Sequence, residues 1–129
     1  MAVGLSAANA ANKWLDNITR TGAAPTAGTV WVRLHTGDPG ASGTSNSSAV
    51  TTRSAATFGS AASGGVGTMT NTPSWSMTTT ETISHISLWD ASTSGNFLWS
   101  GALTASKAVS NGDSLNLSSL TLAFTPIAA

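Results

Sequence analysis

Residues 81–89, with the sequence ETISHISLW, form the clearest β-strand signal in the chain. The segment includes Ile83 and Ile86, and β-branched residues of this kind are enriched in strands. Asp90 to Asn96 follows as a glycine-containing turn, and Asn96 to Ser100 is the predicted partner strand. We therefore predict that these two segments pair as strands of one sheet.

A second strand is predicted from Thr29 to Leu34. Val30, Val32 and Leu34 alternate there with Trp31, Arg33 and His35. Such alternation places the two sets of side chains on opposite faces of a sheet. We expect the aliphatic face to belong to the core, so Trp31 on the other face is our best candidate for an interface residue.

Turn residues separate the remaining strand candidates. The stretch from Gly37 to Ser48 is rich in Gly, Ser, Asn and Pro, and we expect it to be a long exposed loop. The strand candidates are Ala49 to Arg53, Val66 to Thr70, a segment after Pro73 with Trp75 and Met77 on one face, Leu103 to Val109, and Leu115 to Phe124. The last one loses its alternation at Ser118 and Ser119, which indicates a bulge or a strand crossing between sheets.

One helix is predicted, from Ser6 to Thr19, because apolar residues recur there at helical spacing and Ser6 can cap the first turn. Short strands separated by turns favour an antiparallel β-sandwich, jelly-roll-like, or a small barrel over βαβ units. At 129 residues the chain fits a single domain, residues 1–129, with this N-terminal α-helix. The predicted fold class is therefore mainly β.

Charged residues are scarce. They make up 8% of the chain, against about 25% in an ordinary soluble domain. The five acidic and five basic residues are scattered singly along the sequence, and the formal net charge is +0. Nucleic-acid binding is disfavoured because so few cations cannot form a basic stripe. A neutral surface instead favours association with other proteins.

Targeting and redox signals are also missing from the sequence. There is no cysteine, so disulfides and thiolate chemistry are not available. No apolar run approaches the roughly 18 residues that span a bilayer, and the N-terminal stretch lacks the features of a signal peptide. We expect a soluble protein that has no membrane partner and is used without export.

Catalytic and metal-binding motifs are weak. His35, Asp38, His85 and Asp90 could be imagined as metal ligands, but their spacing fits no ligand motif. We expect Asp38 and Asp90 to cap their own turns instead. No serine lies in a nucleophile motif, and a glycosidase pair among the scattered acids is a minor alternative. We predict no enzyme activity, no cofactor and no metal.

Tryptophan is the residue type most suited to a binding role here, because it can stack on sugars or anchor an interface. Of Trp31, Trp75, Trp89 and Trp99, about two are expected in the core simply because of their size. Our interface candidates also include residues of the apolar chain ends. The full set is Leu5, Trp14, Trp31, Trp75, Pro126 and Ile127.

The string from Val30 to Gly40, VWVRLHTGDPG, resembles the V-x-x-x-L-H-T-x-D-P-G signature of a group of small tailed-phage virion proteins. Further segments resemble this family in the same order: Leu5 to Ile18, Phe58 to Gly65, Ile83 to Asp90, Gly95 to Leu103, and Asn111 to Asp113. The chain departs from the family at Thr51 to Arg53, where the family has Y-A-R, and at Leu120 to Phe124, where it has L-T-V-T-L. Both departures keep the strand pattern.

The resemblance implies a phage virion structural protein, assembled into the virion in the host cytoplasm. Its members are described as head decoration or tail-fibre-like proteins. Our leading hypothesis is a capsid decoration or cement protein that binds the major capsid protein, or other virion proteins, as a homo-oligomer, with a trimer favoured. The alternative is a tail-associated module that binds a host-surface glycan or receptor.

Overall fold

The computed structural model describes residues 3–19, 29–59 and 65–123. In this part of the chain the strand predicted at residues 81–89 is present with the same bounds. The strands are β1 (Gly4–Leu5), β2 (Val30–His35), β3 (Ser54–Ala56), β4 (Val66–Thr68), β5 (Ser74–Ser76), β6 (Glu81–Trp89), β7 (Phe97–Val109), β8 (Ser114–Asn116) and β9 (Thr121–Ala123). A π-helical segment (Ala7–Ala11) leads into α1 (Asn12–Thr19).

The strands form one larger antiparallel sheet and two small ones. The larger sheet has the order β1-β7-β6-β2-β3, and the small sheets are β4-β9 and β5-β8. Within the described residues β1 and β3 are the free edges of the larger sheet, so it does not close on itself. The mainly β, antiparallel, sandwich-like prediction is confirmed, and its small-barrel alternative is not what forms.

The hydrophobic core lies between the larger sheet and the small ones. From the larger sheet it receives Val32 and Leu34 of β2 and Ile83, Ile86 and Leu88 of β6, each at most 2% exposed. The facing segments contribute Met69, Trp75, Met77 and Leu120. The aliphatic face predicted for the second strand is therefore a core face, as expected from its alternation.

The predicted strand from Ala49 to Arg53 is wrong, because the extended pairing begins only at Ser54. Side chains capture the backbone donors of this segment. The amide of Ala49 donates to the Glu81 carboxylate over 3.2 Å, and the amide of Val50 donates to the Ser48 hydroxyl over 3.0 Å. A backbone whose donors are bonded locally cannot use them in a strand ladder.

The strands predicted at Asn96 to Ser100 and Leu103 to Val109 are one element, β7. Its register with β6 shifts midway: Ile83 pairs with Lys107, but His85, two residues later, pairs with Ala102. The extra residues of β7 form an irregularity that lets one strand continue. The crossing predicted near Ser118 and Ser119 is confirmed, since β8 pairs with β5 whereas β9 pairs with β4.

The N-terminal helix begins as predicted, with Ser6 as its cap. The Ser6 hydroxyl accepts the amide of Asn9 over 3.4 Å. Two further hydrogen bonds tie this region to the start of β7: the Ser6 amide donates to the Leu98 carbonyl over 2.7 Å, and Asn9 Nδ2 donates to the Phe97 carbonyl over 3.1 Å. The helix is therefore attached at the edge of the sheet through its first turn.

Candidate functional site

The loop after β2 is exposed at residues 41–42 and 44–46, as expected for the stretch from Gly37 to Ser48, but buried residues anchor it to the second face of the larger sheet. Pro39, Gly43 and Ser48 are buried. Gly43 has a φ of +72°, and a Cβ at this position would collide with the ring of Phe97. The loop needs glycine there because it packs directly on the sheet.

His35 is fully buried beneath this loop in a chain of hydrogen bonds. Its Nδ1 lies 2.8 Å from the Ser45 carbonyl oxygen, which only accepts, so Nδ1 carries the proton. In the neutral ring Nε2 accepts from the Ser87 hydroxyl over 2.7 Å. The Ser87 oxygen in turn accepts Trp89 Nε1–H over 2.8 Å. Burial lowers the pKa of His35 below its ordinary value of 6.5, the hydrogen bond to the Ser45 carbonyl opposes this change, and the Arg33 cation lowers the pKa further.

Asp38 and Asp90 are engaged by their own turns. Asp38 Oδ1 accepts the Gly40 amide over 2.8 Å. Asp90 accepts the amide of Asn96 over 2.6 Å and Asn96 Nδ2 over 2.8 Å. Partial burial opposes ionisation of Asp90, but the hydrogen bonds from Asn96 prevail and lower the pKa of this carboxyl. The prediction that Asp38 and Asp90 cap their turns is confirmed.

The imagined metal ligands come together only in part. His35 and His85 are partners in the register of β2 and β6, while Asp38 and Asp90 bind the backbone as described above. In residues 3–19, 29–59 and 65–123 no group of three or more His, Cys, Asp or Glu side chains is arranged to hold a metal ion.

Arg33 and Arg53, which the sequence suggested were isolated charges, lie next to each other in the fold. Val32 of β2 pairs with Ser54, the first residue of β3, and Arg33 and Arg53 are the next residues beyond this pair, with Arg53 lying just before β3. Burial lowers the pKa of Arg53, and the neighbouring Arg33 guanidinium lowers it further. We refer to Trp31, Arg33 and Arg53 as the arginine patch.

Trp89 and two carbonyls fix the Arg53 side chain. The guanidinium carbon lies 3.9 Å from the centroid of the Trp89 ring, a cation–π contact. Arg53 Nη1 also donates to the carbonyls of Ala91 and Ser94, each over 2.7 Å. By contrast, Arg33 Nε is buried without a hydrogen-bond partner among the described residues.

The tryptophans divide between core and surface as their size suggested. Trp75 and Trp89 are buried, which confirms the expectation of about two core tryptophans. Trp75 is 5% exposed and donates from Nε1 to the Thr52 carbonyl over 3.0 Å, so this interface candidate lies in the core because its indole packs and bonds there. Trp31 is half-buried on the second face of the sheet.

The N-terminal region exposes large apolar side chains. We refer to Val3, Leu5, Trp14 and Leu15 as the N-terminal surface; their exposed fractions are 37%, 45%, 43% and 59%. A cavity of about 540 Å³ adjoins it, with Leu5 and Trp14 among its lining residues and Leu98, Trp99 and Leu122 on the side of the sheets. The interface candidates Leu5 and Trp14 lie on this surface, whereas Pro126 and Ile127 lie outside the described residues.

Sequence reasoning missed the arginine patch and Leu15, whereas Val3 lies in the apolar N-terminal stretch that was expected to supply interface residues. The approach of Arg33 to Arg53 depends on the register of β2 and β3, which an intervening loop separates in the chain. To predict this contact, one would have to know that β2 and β3 pair in this register. A single sequence carries no signal for that pairing.

Residues 3–19, 29–59 and 65–123 thus form a mainly β module that exposes apolar side chains in its N-terminal region. The family model described as Podophage GP4 fiber I protein gp80 matches residues 4–125. The chain therefore belongs to this family of phage virion proteins. A search of curated proteins finds no match to the chain. Neither helical segment in the described ranges has the length and apolar character needed to cross a membrane.

Proposed function

We propose that this chain is a structural subunit of a phage fiber and has no enzymatic activity. The observation that carries the proposal is the match of residues 4–125 to a family described as a fiber protein. The engagement of Asp38, Asp90 and Asp113 as acceptors of backbone amides supports a structural use of these carboxylates. We expect the subunit to join the virion during assembly in the host cytoplasm.

The N-terminal surface is the proposed contact with other virion proteins or other copies of the chain. Leu5 and Leu15 keep about half of their surface exposed, and removing apolar area from water stabilises a complex by about 25 cal/mol per Å². Opposing charges are few, because only 8% of the residues are charged and the net charge is +0. A homotrimer is the assembly we favour.

A capsid decoration protein is the second candidate. The same exposed apolar residues could bind a lattice of major capsid protein, and such binding would stabilise the assembled head by mass action. This alternative differs from the fiber proposal in the position of the protein on the particle.

Immunogold electron microscopy of intact virions tests the proposal. Antibodies raised against the purified chain should label the fibers, and particles incubated with pre-immune serum provide the control. Label distributed over the head would contradict the fiber proposal and support the decoration alternative.

A further inference from the structure

The arginine patch concentrates positive charge in a chain that has little of it. Arg33 and Arg53 are two of five basic residues, and repulsion between two like charges held close together costs free energy. The buried Arg33 Nε, which lacks a partner among the described residues, adds a desolvation cost. An anion that accepts hydrogen bonds from the terminal guanidinium nitrogens would offset the repulsion between the two side chains, although the buried Nε itself is out of its reach.

Asp90 offsets part of the charge of the patch. Asp90 interacts electrostatically with Arg53, but one of its oxygens accepts the Asn96 amide and the other accepts Asn96 Nδ2. One carboxylate therefore faces two guanidinium groups. His35, on the same face of β2, is buried and bonded in its neutral form.

The patch is also well ordered for binding. The carbonyls of Ala91 and Ser94 and the ring of Trp89 hold Arg53, so an anion bound there orders little further side-chain motion. Guanidinium groups suit carboxylate and phosphate because their donors match two acceptor oxygens. Trp31 precedes Arg33 by two residues on the same face of β2 and is half-buried, which leaves part of the residue accessible.

We propose that the arginine patch binds the anionic group of an acidic saccharide, with Trp31 against the apolar face of the sugar ring. Only the source of the ligand, a bacterial surface polysaccharide, rests on the proposed fiber function. The site itself is a property of the isolated chain. Its chemistry is shared by a uronic acid, which offers a carboxylate, and by a phosphorylated sugar.

Nuclear magnetic resonance titration of the full chain, following the Arg Nε–H and Trp Nε1–H signals, tests the site. The probes are tri-galacturonic acid, glucose 6-phosphate and the neutral galactotriose, at constant ionic strength. At least one anionic probe should shift the Arg33 and Trp31 signals to saturation, and the neutral sugar should not. The carboxylate and phosphate arms identify which anion is preferred.

Variants separate this site from general attraction of anions. Arg33→Gln should weaken binding roughly tenfold or more, because it removes a charged donor group, and Arg33→Lys should give an intermediate loss. Lys107→Gln is the matched control, since Lys107 is an exposed cation on β7, and it should bind like the wild type. Arg33→Gln is expected to stay folded, because it relieves repulsion from Arg53. If Arg33→Gln does not fold, the test is made with Arg33→Lys, which retains the positive charge.

Several outcomes would overturn the proposal: no saturable shift with either anion, equal binding of galactotriose, or equal losses in the Arg33→Gln and Lys107→Gln variants. These results do not depend on where the protein sits in the virion. If the gold label lies on the fibers but no saccharide binds, only the saccharide site is refuted. If a saccharide binds but the label lies on the head, only the fiber proposal is refuted.

Discussion

His35 is a buried imidazole used as a fixed hydrogen-bonding group. Its Nδ1–H donates to the Ser45 carbonyl, and its Nε2 accepts from Ser87. This arrangement requires the neutral ring, because the protonated ring would have no acceptor capacity for the Ser87 hydroxyl. The histidine of the LHTGDPG string thus links the loop after β2 to the neighbouring strand β6.

The free energy of unfolding should therefore depend on pH through His35. Burial holds its folded-state pKa below the unfolded value of 6.5, so between these two values the unfolded chain binds more protons. Stability is complete above about pH 6.5 and falls as the pH decreases towards the folded pKa, by at most about 1.4 kcal/mol per pH unit for one proton. Urea denaturation from pH 7.5 to pH 5 measures this dependence.

The His35→Gln variant should lose this part of the pH dependence, and its stability at pH 7 should be lower by about 1–3 kcal/mol because buried partners are left unsatisfied. His85→Gln is the comparison variant, and it should retain most of the fall because burial, rather than His85, is the main cause of the lowered pKa of His35. A wild-type slope that persists in His35→Gln would contradict the role assigned to this imidazole.

At the scale of the elements, the periodic signals and the pairing of β6 with β7 were predicted correctly, whereas pairings between strands distant in the chain were not predicted. The bounds of β6, the core face of β2 and the Ser6 cap follow from local patterns, since they depend on residues close in the chain. The strand predicted from Ala49 to Arg53 failed because side chains distant in sequence, above all Glu81, take its backbone donors. The packing of the loop after β2 on the sheet depends on tertiary contacts, as does the approach of Arg33 to Arg53. The spacing of residues along the chain does not reveal such contacts.

Replacement of Gly43 tests how closely this loop packs on the sheet. Both glycines have a positive φ, +72° at Gly43 and +93° at Gly112. A Cβ added at Gly43 would collide with the Phe97 ring, whereas a Cβ added at Gly112 would meet no atom within 4 Å. Gly112→Ala should cost about 1 kcal/mol from backbone strain, and Gly43→Ala should cost about 1–3 kcal/mol more from overpacking. Guanidinium chloride denaturation of both variants gives the difference, and equal losses would show that the loop does not rest on Phe97.

At the scale of the whole molecule, a neutral β-sandwich with an apolar end is suited to assembly. Leu15 is 59% exposed, so replacing it should change association and leave the fold intact. We expect Leu15→Lys to shift the purified protein from trimer towards monomer while its unfolding free energy changes by no more than about 0.5 kcal/mol. Light scattering after size exclusion measures the mass, with Ser92→Lys, at an exposed turn residue, as the control. Equal masses for the wild type and Leu15→Lys would remove the N-terminal surface from the account.

The account as a whole holds that this chain is a fiber subunit held in place through its N-terminal surface. A cryo-electron microscopy reconstruction of the intact virion measures both parts at once. It should place copies of the β-sandwich in the fiber, with Leu5 and Leu15 buried at a contact with a neighbouring protein. Copies found on the head lattice, or in the fiber with Leu5 and Leu15 facing solvent, would contradict it.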